Sequence, residues 1–125
     1  MPIVDVELVC QTEAQFCAVS ASALADALGA ALGSVAGRTW VRKRYLSCND
    51  YAENQVSVVD KTASDLPVFV TVLLSHPPTG SEREVEVKTI TAVVAACVSR
   101  SPNCVHVQYA PAAAGRQAFG GRLVQ

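Results

Sequence analysis

One pattern occurs twice along the chain and limits its fold more than any other feature. Pro2-Ile3-Val4-Asp5-Val6-Glu7-Leu8 opens the sequence, and Pro67-Val68-Phe69-Val70-Thr71-Val72-Leu73 restates its form in the second half. The first copy alternates polar with apolar side chains, the period of a strand with one buried face. The second is more continuously apolar, which predicts a strand buried on both faces. A helix signal follows each. Thr12 and Gln15 form a capping box ahead of Ala21, Leu24, Ala25, Leu28, Leu32 and Val35 at helical spacing, a single helix ended by Gly33 and Gly37. Ser81 and Glu84 form a second box before Val87, Ile90, Val94, Cys97 and Val98, and Pro102-Asn103 closes that helix. Each helix leads to another strand, the first from Arg38 to Leu46 and the second from Cys104 to Ala110, so that Arg42 and His106 hold equivalent places.

A β-α-β unit carried twice predicts an α+β fold, a four-stranded mixed sheet with two helices on one face, because right-handed crossovers place both helices on the same side when the halves are related by a two-fold. The 125 residues make one domain, 1–125, with repeat one about 2–60 and repeat two about 67–125. The other sheet face is left bare. With half the residues hydrophobic, that face predicts other subunits. Between the repeats, Asn49-Asp50-Tyr51-Ala52-Glu53-Asn54 reads as turns and Val56 to Val59 as a short strand. Gly115, Gly120 and Gly121 predict a mobile or hairpin-forming tail.

Composition removes several function classes. The net charge is -1 and the longest basic run is Arg42-Lys43-Arg44, so the electrostatic footprint of a nucleic-acid binder is missing. No apolar run reaches membrane-spanning length, and Asp5 and Glu7 interrupt the first apolar segment, so neither a membrane span nor a signal peptide is expected. Five cysteines, an odd number without a C-x-x-C pair, point to a reducing cytoplasm and to small core fillers. No metal site is expected, because no histidine stands at zinc-ligand spacing.

Pro2 is the chemically unusual residue. Once Met1 is removed it becomes a chain-terminal secondary amine, which titrates, whereas every other proline nitrogen is locked in an amide. A strand fixes that amine more firmly than a loose tail would. An α-amine ordinarily titrates at about 7.7–8.0, and an apolar pocket with a nearby guanidinium would lower it towards a working general base. The plain alternative is a proline that suits a strand's first position.

Met1-Pro2-Ile3 at the start of a strand, the tandem β-α-β plan at this length and Phe119-Gly120-Gly121 near the end together resemble the tautomerase superfamily, over nearly the whole chain. The resemblance implies a cytoplasmic, cofactor-independent homotrimer whose sites lie around the N-terminal proline and are walled partly by a neighbouring subunit. It implies that Pro2 shuttles a proton between carbon and oxygen of a small unsaturated carboxylate substrate. Arg42, in Val41-Arg42-Lys43, matches the family's substrate arginine. Two departures stand beside it. Cys10-Gln11 replaces the arginine after the first strand, and Ser75-His76-Pro77-Pro78 replaces the arginine pair of decarboxylase-like members.

The expected site is therefore Pro2 as catalyst, with Arg42 and Arg44 as carboxylate clamps, since a guanidinium fork matches a carboxylate. His76 and Phe119 join them as substrate contacts, and Tyr51 is a candidate acid. Against each stands a structural role: an inter-subunit channel or pairing with Asp5 and Glu7 for the arginines, a helix cap for His76, and packing for Tyr45, Tyr51 and Tyr109. Asp50 or Glu53 facing a protonated Pro2 would instead give a hydratase or dehalogenase, with decarboxylation a further rival. A non-catalytic ferredoxin-like binding domain has the same element order.

Overall fold

A computed structural model describes residues 2–125; Met1, on whose removal the free proline amine depends, lies outside the described residues. Strand β1 (Ile3–Cys10) is followed by helices α1 (Glu13–Cys17) and α2 (Ala21–Ala31) and by strand β2 (Trp40–Ser47). The second half supplies β3 (Val68–Leu73), α3 (Gly80–Val98) and β4 (Val105–Tyr109), and ends in a small hairpin of β5 (Ala118–Phe119) and β6 (Arg122–Leu123). The main sheet runs β2-β1-β3-β4. β1 pairs parallel with β2, β3 parallel with β4, and the two halves meet in the antiparallel pair β1 and β3. The fold is thus the α+β arrangement read from the repeat. A ferredoxin-like sheet would insert a strand between the two parallel strands of each unit, a split β-α-β. Here those partners are adjacent, so the sheet is not ferredoxin-like.

The pairing defines the internal symmetry. Val4 faces Val41 and Val68 faces Val105, an identical spacing of 37 residues in both halves. Val6 pairs with Val70 across the centre, which places the two-fold between them. This relation carries Val4 onto Val68 and hence Pro2 onto Leu66. Pro67 is therefore the counterpart of Ile3, and matching proline to proline is out of phase by one residue. A strand changes face at every residue, so a slip of one would put the wrong side chains in the core.

Val4, Val6 and Leu8 of β1 and Val68, Val70 and Val72 of β3 point to the helices, where they meet Leu24 and Leu28 of α2 and Ile90 and Val94 of α3 in one buried core. The other face is polar and open around Asp5, Arg42, Arg44, Thr71, His106 and Gln108. It is not bare throughout. At the Val9 end, Cys48, Val58 and Leu66 form a second buried cluster, so the segment between the halves folds over that corner.

Several local expectations change. The single helix from Thr12 onward is broken at Ala18-Val19-Ser20, because the Ser20 side chain accepts from the Ala23 N–H and starts a new helix. Val35 lies beyond it and is exposed. α3 begins one residue before Ser81, with Thr79 as the residue preceding it and no side-chain cap. β3 alternates buried with half-buried residues, since only one of its faces meets helices. The Val56 to Val59 strand is reduced to one bridge between Glu53 and Val56. Cys10 and Cys48 are buried fillers, but Cys17 is exposed. Among the described residues no helix is long and apolar enough to cross a membrane.

Candidate active site

Pro2 is buried just ahead of β1, and its carbonyl accepts a hydrogen bond from the Trp40 N–H at 3.0 Å. This extends the β1–β2 ladder by one rung and fixes the backbone on which the amine would stand. The residue continues the phase of Val4 and Val6, towards the helices. It borders an open cavity of about 430 Å3 shared with Leu32, Leu74, His76, Glu82 and Glu86. The β3–α3 connection supplies His76, and the first turns of α3 supply the glutamates at a spacing of four, which puts both on one helix face.

Glu86 is tied in place. Its Oε1 accepts from the Tyr109 hydroxyl at 2.6 Å, and burial followed by this bond to a carboxylate pushes the Tyr109 hydroxyl well above its ordinary value of 10.0. The Arg83 guanidinium lies over the Tyr109 ring at 5.5 Å while its Nε donates to the Pro78 carbonyl at 2.8 Å. The charged side chains on the cavity wall are therefore carboxylates. No guanidinium lines it among the described residues, whereas the sequence reading called for one to lower the amine's pKa.

Arg42 and Arg44 stand on the opposite, polar face. Arg42 makes a two-point fork to Asp5, Nε to Oδ1 at 2.6 Å and Nη2 to Oδ2 at 3.0 Å, and Arg44 Nη1 stands 4.0 Å from Asp5 Oδ2. The register explains the fork, since Asp5 is directly across from Arg42 on the neighbouring strand. The hydrogen bond and the charge of Asp5 hold the Arg42 guanidinium above its ordinary pKa. Both arginines remain more than half exposed, at 60% and 57%, so their remaining donors can still meet a ligand or another chain.

Phe119, on the terminal hairpin, meets the Trp40 ring edge-on with centroids 5.3 Å apart. It is joined to Pro2 through Trp40 rather than through the cavity. Tyr51 lies towards the other end of β1, with its ring against Phe69 at 5.9 Å and Phe69 across from Glu7. Its hydroxyl donates to Glu53 Oε2 at 2.7 Å, and burial, then that bond, pushes it up to about 12. Of the expected site residues, then, the chain brings His76 to Pro2 and sets Phe119 one residue away. It carries Arg42, Arg44 and Tyr51 elsewhere.

Sequence reading missed Glu82 and Glu86. Their signal was available: two acids four apart, in a helix that starts directly after the His76 loop. His106 lies on the polar face, its ring 5.6 Å from that of Phe69.

No family model matches this sequence, and no curated protein matches it. Solved structures do match in shape. A wild-type fused 4-OT asymmetric trimer superposes with a TM-score of 0.72 at 15% identity, over 97% of this chain and 94% of that one. A malonate semialdehyde decarboxylase, described with decarboxylase and hydratase activities, gives 0.62 at 20% identity over 94% and 90%. The macrophage migration inhibitory factor of Trichinella spiralis gives 0.69 at 12% identity over 97% and 98%. At these identities the likeness establishes the fold.

Proposed function

We propose that this chain, which has the fold of the tautomerase superfamily, is a cofactor-independent keto-enol tautomerase or isomerase of a small unsaturated 2-oxo or 2-hydroxy carboxylic acid and works as a homotrimer. One observation carries the reading: Pro2 is buried and hydrogen-bonded to the sheet, yet borders an open cavity large enough for a small acid. With Met1 removed, its nitrogen takes the proton of the enol hydroxyl and returns a proton to carbon, a transfer that is redox-neutral. General-base catalysis of this kind is worth roughly 10² to 10⁴ in rate. His76 donates to a substrate oxygen, and Phe119 packs on Trp40, whose N–H holds the Pro2 carbonyl.

Arg42, with Arg44, holds the substrate carboxylate of a neighbouring subunit, because both arginines face away from the cavity of their own chain. Tyr51 serves as an acid only across the same boundary. Likeness to trimeric structures supports that assembly.

A second reading is favoured by Glu82 and Glu86. Carboxylates beside an amine favour its charged form. A protonated Pro2 would donate a proton while an activated water attacks, or would polarise a carbonyl for loss of carbon dioxide, giving a hydratase or decarboxylase.

Ketonisation of phenylenolpyruvate by the purified protein tests both. Intact mass first establishes that Met1 is absent, and Pro2→Ala should then lower kcat/KM by about 10² or more. For a proline base, kcat/KM rises with pH through the amine's pKa; a fall through it would favour the protonated-proline reading. Turnover unchanged in Pro2→Ala would remove both.

A further inference from the structure

The internal two-fold carries Pro2 onto Leu66, at the opposite end of the central strand pair, where a different group is waiting. Arg100 is the one buried charged residue among those described, 8% exposed. Its Nη1 donates to the Leu66 carbonyl at 2.8 Å and the Pro67 carbonyl at 3.3 Å, and Nη2 donates to Cys10 Sγ at 3.3 Å. No carboxylate pairs with it among the described residues. Asp65, two residues from Ala63 in the lining of the adjoining cavity, accepts instead from Thr62, and Glu13, two from Gln15, forms no ion pair among the described residues. Lys43, a second cation without a carboxylate partner among the described residues, donates from Nζ to the carbonyl of Val19 in that lining at 2.8 Å and to the Phe16 carbonyl at 3.1 Å. Carbonyls solvate a buried guanidinium but do not neutralise it, and a buried charge without a counter-charge is costly.

Arg100 has donors left over. Of its five N–H groups, three go to Leu66, Pro67 and Cys10, leaving Nε–H and one on Nη2, the same two nitrogens that Arg42 turns on Asp5. Among the described residues no fully enclosed side-chain nitrogen lacks a partner, so Nε, which makes no hydrogen bond, is not fully enclosed. Arg100 lines a cavity of about 260 Å3 together with Gln15, Ala18, Val19, Ala63, Val98 and Ser99. Ser99 takes a left-handed backbone, φ 56°, at the end of α3, and this turn sends Arg100 inward.

We propose that this cavity is a second small-carboxylate site, separate from Pro2, in which the free edge of Arg100 takes the carboxylate and the wall of Ala18, Val19, Ala63 and Val98 takes a short aliphatic tail. The chain thus has a proton-carrying amine at one end of its two-fold and an anion-holding guanidinium at the other. The ligand class follows from the fork geometry and from the small apolar volume, which excludes a nucleotide. The site stands independently of the role given to Pro2.

The test is a titration of the full chain with sodium butyrate against sodium chloride at equal ionic strength, following the Arg100 Nε–Hε signal and the Ser99 amide by NMR. A saturable shift with a midpoint on the order of 1 mM is expected for one forked ion pair with a short tail. Ala18→Phe fills the cavity without touching the bonds of Arg100 and should weaken binding at least tenfold, while Pro2→Ala should leave it unchanged. Linear shifts without saturation would overturn the proposal, as would saturable binding that survives Ala18→Phe or that disappears with Pro2→Ala.

Discussion

Ser99 is a serine where a glycine would rest more easily. The left-handed region costs an L-residue about 1–2 kcal/mol, while a glycine loses about 0.5–1 kcal/mol of chain entropy on folding. Ser99→Gly should therefore stabilise the fold by about 0.5–1 kcal/mol and raise Tm by roughly 2–5 °C, as thermal unfolding would show; a loss of stability would mean that the serine side chain matters in its own right. Tyr51 offers a titration. Its hydroxyl is raised from 10.0 to about 12, so the folded state keeps the proton more tightly than the unfolded chain does. The stability this contributes is complete below about pH 10 and is lost as pH rises towards 12. Tyr51→Phe should flatten the fall in stability between those values, read by denaturant midpoints at successive pH. At this scale the sequence was informative about residue type. The proline that would carry an amine once Met1 is removed and the forks of Arg42 and Arg44 could be named from it, but not the direction in which each points. That depends on strand phase, which places Pro2 with Val4 and Arg42 with Asp5.

The break between α1 and α2 is a matter of elements. Apolar spacing continues across Ala18-Val19-Ser20, so periodicity alone reads one helix. Ser20 caps a new start, and Lys43, reaching over from β2, takes the Phe16 and Val19 carbonyls while its ammonium lies 4.2 Å from the Phe16 ring centre. That contact spans 24 residues or more of chain and has no local signature. Lys43→Met should loosen α1 and speed amide exchange over residues 13–19 while leaving α3 protected. Between β1 and β2, Asp5 occupies the edge of Arg42 best suited to a carboxylate. If Arg42 is the clamp, Asp5→Asn should free that edge and lower KM for an acidic substrate several-fold with little change in strand pairing. Unchanged KM would leave Arg42 as a tie between strands. The four main strands were legible because the repeat is written twice; the folding of residues 48–66 over the Val9 corner was not, because Cys48, Val58 and Leu66 are isolated in a polar stretch.

The whole molecule leaves a polar sheet face open, and the reading offered here fills it with two further copies. Light scattering on the purified chain should then return three times its 13.1 kDa mass. Thr71→Glu, in the middle of that face and away from the core, should shift the mass towards one chain and reduce turnover with it. A monomeric wild type would leave the arginines without a neighbour to serve.

The equal spacing of both halves also makes the chain divisible. Each half carries its own parallel strand pair and its own helical cover, and the halves join through β1 and β3 and the packing of α2 on α3. Cutting the exposed segment near Gln55 should give two fragments that find each other when expressed together. A designer wishing to duplicate the proposed proline terminus would have to begin the second fragment one position ahead of Pro67, with Leu66→Pro. A fragment starting at Pro67 would present its amine on the wrong side of the sheet.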